Sequence, residues 1–72
     1  MRFKGELKLG KVREYDGHLG EIQTINATYY FTKDDVHKDD KLLPNDLVMF
    51  KGKTEDEFPQ AYYVKKINLK KI

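Results

Sequence analysis

Gly10-Lys11-Val12-Arg13-Glu14-Tyr15-Asp16, followed by Gly20-Glu21-Ile22 and then Tyr29-Tyr30-Phe31-Thr32, is the stretch that decides the fold. Its apolar residues recur at short intervals, not every three to four residues as an amphipathic helix requires. It reads as three short strands joined by tight turns, with basic and aromatic side chains on one face. Asp16-Gly17 is a good tight-turn pair ahead of a second strand predicted over Glu21–Ile25. Asn26-Ala27-Thr28 turns into the third. The spacing slips from Leu7 and Leu9 to Val12, which predicts a bulge near Gly10.

Beyond Thr32 the pattern dissolves into charge, with one helical turn expected around Asp34 to His37. Leu42 and Leu43 are expected to tuck back onto the core. Pro44-Asn45-Asp46 has the residues of a turn into a fourth strand, Leu47-Val48-Met49-Phe50. Residues 52–58 form a polar, acidic loop. Pro59 then opens a last strand containing Ala61-Tyr62-Tyr63-Val64, at a position where its missing N–H donor does no harm. Tyr62 and Tyr63 are adjacent, so one is expected outside and the other packed in the core. Five short strands, with one longer connection after the third, predict an all-β, five-stranded small β-barrel over residues 1–72 as a single domain. Closure also removes the exposed edges a small open sheet would present.

Seventy-two residues make one domain near the lower end of what folds without staples. There is no cysteine, which excludes disulfides and thiolate metal sites and suits a reducing compartment. The start, Met1-Arg2-Phe3-Lys4-Gly5-Glu6, lacks the apolar run of a signal peptide, so the sequon Asn26-Ala27-Thr28 is expected to be inert. No segment approaches the roughly 20 apolar residues that span a bilayer. A cytoplasmic chain with no membrane partner is expected.

Fourteen basic and twelve acidic residues leave a net charge of +2, so the total says little and the distribution says more. Arg2, Lys4, Lys8, Lys11 and Arg13 stand near the start against Glu6, and Lys65, Lys66, Lys70 and Lys71 near the end. Acids gather in Asp34, Asp35, Asp39 and Asp40, and again in Glu55, Asp56 and Glu57. Such a chain can present a positive stripe despite near-neutral charge.

Catalysis is hard to build from this inventory. Serine and cysteine are both absent, which removes the commonest acyl-transfer nucleophiles. No glycine-rich loop sits between a strand and a helix to cradle phosphate. A barrel of this size is filled by its own side chains and leaves no deep pocket. The acidic run from Asp34 to Asp40 lacks the spacing and central glycine of a calcium loop. His18 and His37, the two histidines, cannot complete a zinc site without carboxylates. No enzyme, cofactor or metal is expected.

The same residues resemble the cold-shock domain, a five-stranded barrel of the oligonucleotide/oligosaccharide-binding (OB) class, from about Gly10 to Ile67. Gly10-Lys11-Val12 with Tyr15-Asp16 looks like the family's first strand. Tyr29-Tyr30-Phe31-Thr32 through Val36 is similar to its second ribonucleoprotein motif, where members read Val-Phe-Val-His. Asn45-Asp46-Leu47-Val48-Met49-Phe50 is similar to the Gly-x-x-Val-x-Phe of the fourth strand. Pro59-Gln60-Ala61 with Val64 resembles Pro-Gln-Ala-x-x-Val. The departures fall on the stacking platform. Where the first ribonucleoprotein motif reads Lys-Gly-Phe-Gly-Phe-Ile, this chain has Gly17-His18-Leu19-Gly20-Glu21-Ile22. Glu14 takes the place of a tryptophan, and Thr32 and Lys33 replace a histidine and an aromatic.

The resemblance implies binding of single-stranded RNA or DNA, weakly and with little sequence preference, because each lost stack forfeits about 1–3 kcal/mol. Tyr30 is the candidate stacking residue, since period two sends it opposite Tyr29 and Phe31. Lys11, Arg13 and Lys33 are candidates to meet phosphates, with His18 and Phe58 at the periphery. The alternative is a protein-interaction module in which Leu19, Tyr30 and an exposed Tyr62 or Tyr63 anchor a partner. A continuous positive stripe beside Tyr30 favours the first reading, and an apolar patch rimmed by acids favours the second. Oligomeric state stays open.

Overall fold

A computed structural model describes residues 6–37, 41–52 and 59–67. Its strands are β1 (Glu6–Tyr15), β2 (Leu19–Gln23), β3 (Thr28–Thr32), β4 (Leu47–Gly52) and β5 (Ala61–Lys66). They form one antiparallel sheet in the order β3-β2-β1-β4-β5. The sheet curls until its ends meet through parallel bridges, Tyr30 to Gln60 and Val36 to Val64. The Tyr30 N–H donates to the Pro59 carbonyl at 3.0 Å. This is the expected five-stranded small barrel. Among the described residues, no helix is long and apolar enough to cross a membrane.

β1 makes the barrel possible because it serves both halves of the sheet. Glu6 to Lys11 pair with β4, and Lys11 to Tyr15 pair with β2. The strand must coil sharply at the handover, and Gly10 sits there. A Cβ at Gly10 would lie 2.6 Å from the Ile22 side chain and 2.9 Å from the Gln23 carbonyl, so a side chain would push β2 away. The bulge predicted near Gly10 lies instead between Val12 and Glu14, with Arg13 as the extra residue. The turn before β4 supports it: the Val12 N–H donates to the Asp46 carbonyl and the Asn45 N–H to the Val12 carbonyl.

Inward residues alternate with period two along β2, β3 and β4. Val12, Ile22, Tyr29, Phe31, Val48, Phe50, Ala61 and Val64 are buried together, and Leu42 joins them from the connection before β4. Tyr29 stacks obliquely on Phe50, with ring centroids 4.9 Å apart. Each such side chain contributes roughly 1.5–3 kcal/mol on burial. Leu43 is exposed, so only one of the expected pair tucks in.

Local signals account for the turns. The expected helical turn is a 3-10 turn at Lys33–Asp35, whose Asp35 carboxylate accepts from the Thr32 N–H and hydroxyl. The second strand starts and ends two residues earlier than predicted. Leu19 extends the ladder toward the Asp16-Gly17 turn, while Thr24 already bonds across the next turn to Ala27. On β5, Tyr63 has φ +54 and forms a second irregularity opposite β4. A tyrosine there is a backbone outlier, because Cβ crowds its carbonyl in the left-handed region. The bulge leaves both tyrosines out of the core: Tyr63 is exposed, and half-buried Tyr62 lies outward opposite Lys51. The expectation of one core tyrosine fails because the bulge inserts a residue between the outward and inward positions.

Candidate nucleic-acid interface

The outer face of β1, β2 and β3 is assembled row by row from the register. Glu14 pairs with Glu21 and Glu21 with Tyr30, which places these three side chains in one row across the sheet. Lys11, Gln23 and Thr28 form the row on one side, and Leu19 and Thr32 pair on the other. Tyr30 is 40% exposed and faces outward between buried Tyr29 and Phe31, as period two predicts. Leu19 is 64% exposed beside it. The central row and the Leu19–Thr32 pair, together with Gln60 and the turn at Asp16, bound an open groove of about 720 Å³.

The bulge at Arg13 determines what this face carries. Without an extra residue, Lys11, Arg13 and Tyr15 would all point outward. With it, Tyr15 turns inward against Phe31, at a centroid distance of 5.2 Å, and Glu14 takes the outward place. Gly20 is required directly beneath, because a Cβ there would lie 2.3 Å from the Phe31 ring. The groove floor is therefore backbone backed by a buried ring, and its exposed aromatic is Tyr30.

Electrostatics at the centre are unfavourable to an anion. Glu14 and Glu21 are directly opposed carboxylates, an arrangement that costs stability unless a cation is near. Arg13 supplies one at 3.8 Å from the Glu21 carboxylate, so part of its charge is already committed. Asp16 adds a third acid at the rim. Its carboxylate accepts from the Leu19 N–H at 2.9 Å and the His18 N–H at 2.8 Å. Those two bonds, with a smaller contribution from His18 charge, hold its pKa below the ordinary 3.8. The positive stripe expected beside Tyr30 is not continuous; two acids interrupt it.

Of the other candidates, Lys11 is exposed at one end of the face. Lys33 and His18 are exposed together at the opposite end, where the Lys33 N–H donates to the His18 carbonyl. Phe58 lies outside the described residues. Sequence reasoning missed Gln60 and Asp35. Gln60 donates to the Asp35 carboxylate at 3.2 Å and accepts from the Tyr62 hydroxyl at 3.0 Å, which ties β5 to the end of β3 beside Tyr30. The signal was the Pro59-Gln60-Ala61 match, which places Gln60 just ahead of the strand that closes the barrel. No group of histidines and carboxylates among the described residues is arranged to hold a metal ion.

No protein-family model matches this sequence, and no curated protein does. Among solved structures, a Drosophila Unr structure of cold-shock domains (CSD456) superposes with a TM-score of 0.73 at 18% identity. The match covers 96% of this chain and 30% of that one, so the chain spans about a third of that structure's length. The likeness shows a cold-shock-like OB fold, extending over nearly all of the chain.

Proposed function

We propose that this chain binds single-stranded nucleic acid weakly and with little base preference across the outer face of β1, β2 and β3. The observation that carries the reading is the exposed Tyr30 ring in the central row, with Lys11 and Arg13 on one flank and Lys33 and His18 on the other. A base stacks on Tyr30, while the phosphates on either side run toward the two cationic ends and away from Glu14 and Glu21. One ring supports roughly 1–3 kcal/mol of stacking. The rest is ionic and falls steeply with salt. A cytoplasmic location accords with this reading.

Titrating a labelled pyrimidine oligonucleotide tests it. Binding at about 50 mM salt that weakens strongly by about 200 mM is the expected result, and no binding at the lower salt overturns the proposal. An amide shift map is expected to centre on Leu19, Glu21 and Tyr30.

One observation favours a second reading, a protein-docking module. The groove joins the apolar Leu19 and Tyr30 to a rim of Glu14, Asp16 and Glu21. That chemistry fits a partner with an apolar centre and basic margin better than it fits a polyanion. Neutralising Glu14 and Glu21 separates the two, because it strengthens oligonucleotide binding and weakens docking of a basic partner.

A further inference from the structure

The other half of the sheet carries the opposite chemistry. Leu7 and Leu9 are both 63% exposed on the outer face of β1. Leu9 pairs with Met49 and Met49 with Lys65, while Leu7 pairs with Lys51 and Lys11 with Leu47. These cross-strand pairs place aliphatic side chains and lysines in alternation over β1, β4 and β5. Among the described side chains, those facing outward here include no acid.

We infer that this lysine-rimmed patch docks on the acid-rimmed Leu19 and Tyr30 groove of a second copy of the chain. The inference deepens the docking reading of that groove by naming its occupant. Each surface has an exposed apolar centre. The groove itself is lined by Glu14, Asp16 and Glu21, with Lys33 and His18 farther out. The patch is rimmed by Lys51 and Lys65, with Lys11 at the boundary between the two. Patch against patch would oppose lysine to lysine, and groove against groove would oppose carboxylate to carboxylate. Like-sign juxtaposition at an interface selects against both symmetric pairings. The arrangement left is head to tail, which uses two different surfaces and lets each copy engage two neighbours. Few exposed aromatics anchor it, so it is a weak, concentration-dependent association. It also covers Tyr30, which makes self-association and base stacking mutually exclusive.

Sedimentation velocity on the unmodified chain is the first test. At about 50 mM salt the mass is expected to rise with concentration above the 8.5 kDa monomer, and to return to it near about 500 mM, where rim charges are screened. Two charge-reversed chains give the second test, one with Lys51→Glu and Lys65→Glu, the other with Glu14→Lys and Glu21→Lys. Each alone is expected to sediment as a monomer where the unmodified chain associates, and an equimolar mixture to regain the higher mass. A monomer at every concentration in low salt overturns the inference. So does either reversed chain associating alone like the unmodified one, or a mixture that stays monomeric. Oligonucleotide binding is read separately, at chain concentrations too low for association, so its presence or absence does not decide this result.

Discussion

The two halves of the outer surface share one strand and one core, yet they differ in what they present. Over β1 to β3, a bulge at Arg13 swaps Tyr15 inward and Glu14 outward, leaving Tyr30 beside two opposed carboxylates. Over β1, β4 and β5, lysines alternate with Leu7, Leu9 and Met49. A net charge of +2 conceals this segregation entirely. The half that corresponds to the stacking platform is not the more cationic half. Where a polyanion or a partner would sit is therefore decided by register, not by composition.

The strongest test of that comparison is whether the two halves are faces of one folded unit. Phe31 lies under the platform and Phe50 under the lysine half, both fully buried. Either one changed to alanine is expected to cost about 3–5 kcal/mol in urea unfolding. A domain this small has little more to lose. Hydrogen exchange should then show protection lost throughout β1 to β5 in both variants. Protection surviving in β4 and β5 of Phe31→Ala would break the comparison into two separately stable parts.

Gly20→Ala probes the packing on the platform side alone. Its methyl would meet the Phe31 ring at 2.3 Å, and the ring has the Tyr15 ring on another side. Overpacking of this kind costs about 1–3 kcal/mol. A melting point unchanged from the unmodified chain would show that Phe31 is not held as tightly as the register implies.

Tyr30→Ala and Leu9→Ala sharpen the functional contrast. Removing the Tyr30 ring is expected to weaken oligonucleotide binding by about 1–3 kcal/mol with little loss of stability. Leu9→Ala, on the lysine half, should leave binding in dilute solution unchanged. Equal effects from both, measured by anisotropy, would mean that the ligand lies across the lysine half instead.

The barrel was legible because strand signals are local. The aromatic run at Tyr29 to Phe31, the turn at Asp16-Gly17 and the Pro59-Gln60-Ala61 entry to β5 all fell where the pattern placed them. The site was less legible because both bulges depend on tertiary register. Leu7, Leu9 and Val12 break parity in the sequence, a slip that points to Gly10. In the structure Leu7 and Leu9 simply face outward as exposed leucines, Gly10 accommodates close packing, and the extra residue is Arg13. Tyr62 and Tyr63 likewise read as one inside and one outside, until the bulge moved both from the core. A residue whose side depends on an insertion in a neighbouring ladder carries no mark of it in its own identity. The resemblance already puts Glu14 and Glu21 on one face; that they stand directly opposite each other is set by the register alone.

Relieving that opposition should have a smaller effect. With Glu14→Gln and Glu21→Gln, about 0.2–1 kcal/mol of like-charge repulsion across β1 and β2 is removed. Arg13 is released from Glu21, and oligonucleotide affinity is expected to rise a few-fold at low salt. Unchanged or weaker binding would mean that these carboxylates accept hydrogen bonds from the ligand and do not repel it.

The smallest effect expected is at the platform's rim. Asp16 organises the turn into β2 by accepting from the His18 and Leu19 N–H groups, and its pKa is lowered from 3.8 in consequence. A carboxyl that ionises more readily folded than unfolded contributes stability above its unfolded pKa and loses it as pH falls through the lower folded value. The contribution should therefore be constant at neutral pH and fade only in acid, below about pH 4. Asp16→Ala removes both bonds and is expected to lower the melting point slightly at pH 7, with no difference from the unmodified chain once the acid is protonated. The β4–β5 side has no part in this turn, so amide shifts of Met49 and Lys65 should not move as Asp16 titrates. If they follow the His18 and Leu19 amides through the same transition, the two halves are coupled through β1, and the division between them is less complete than the register makes it.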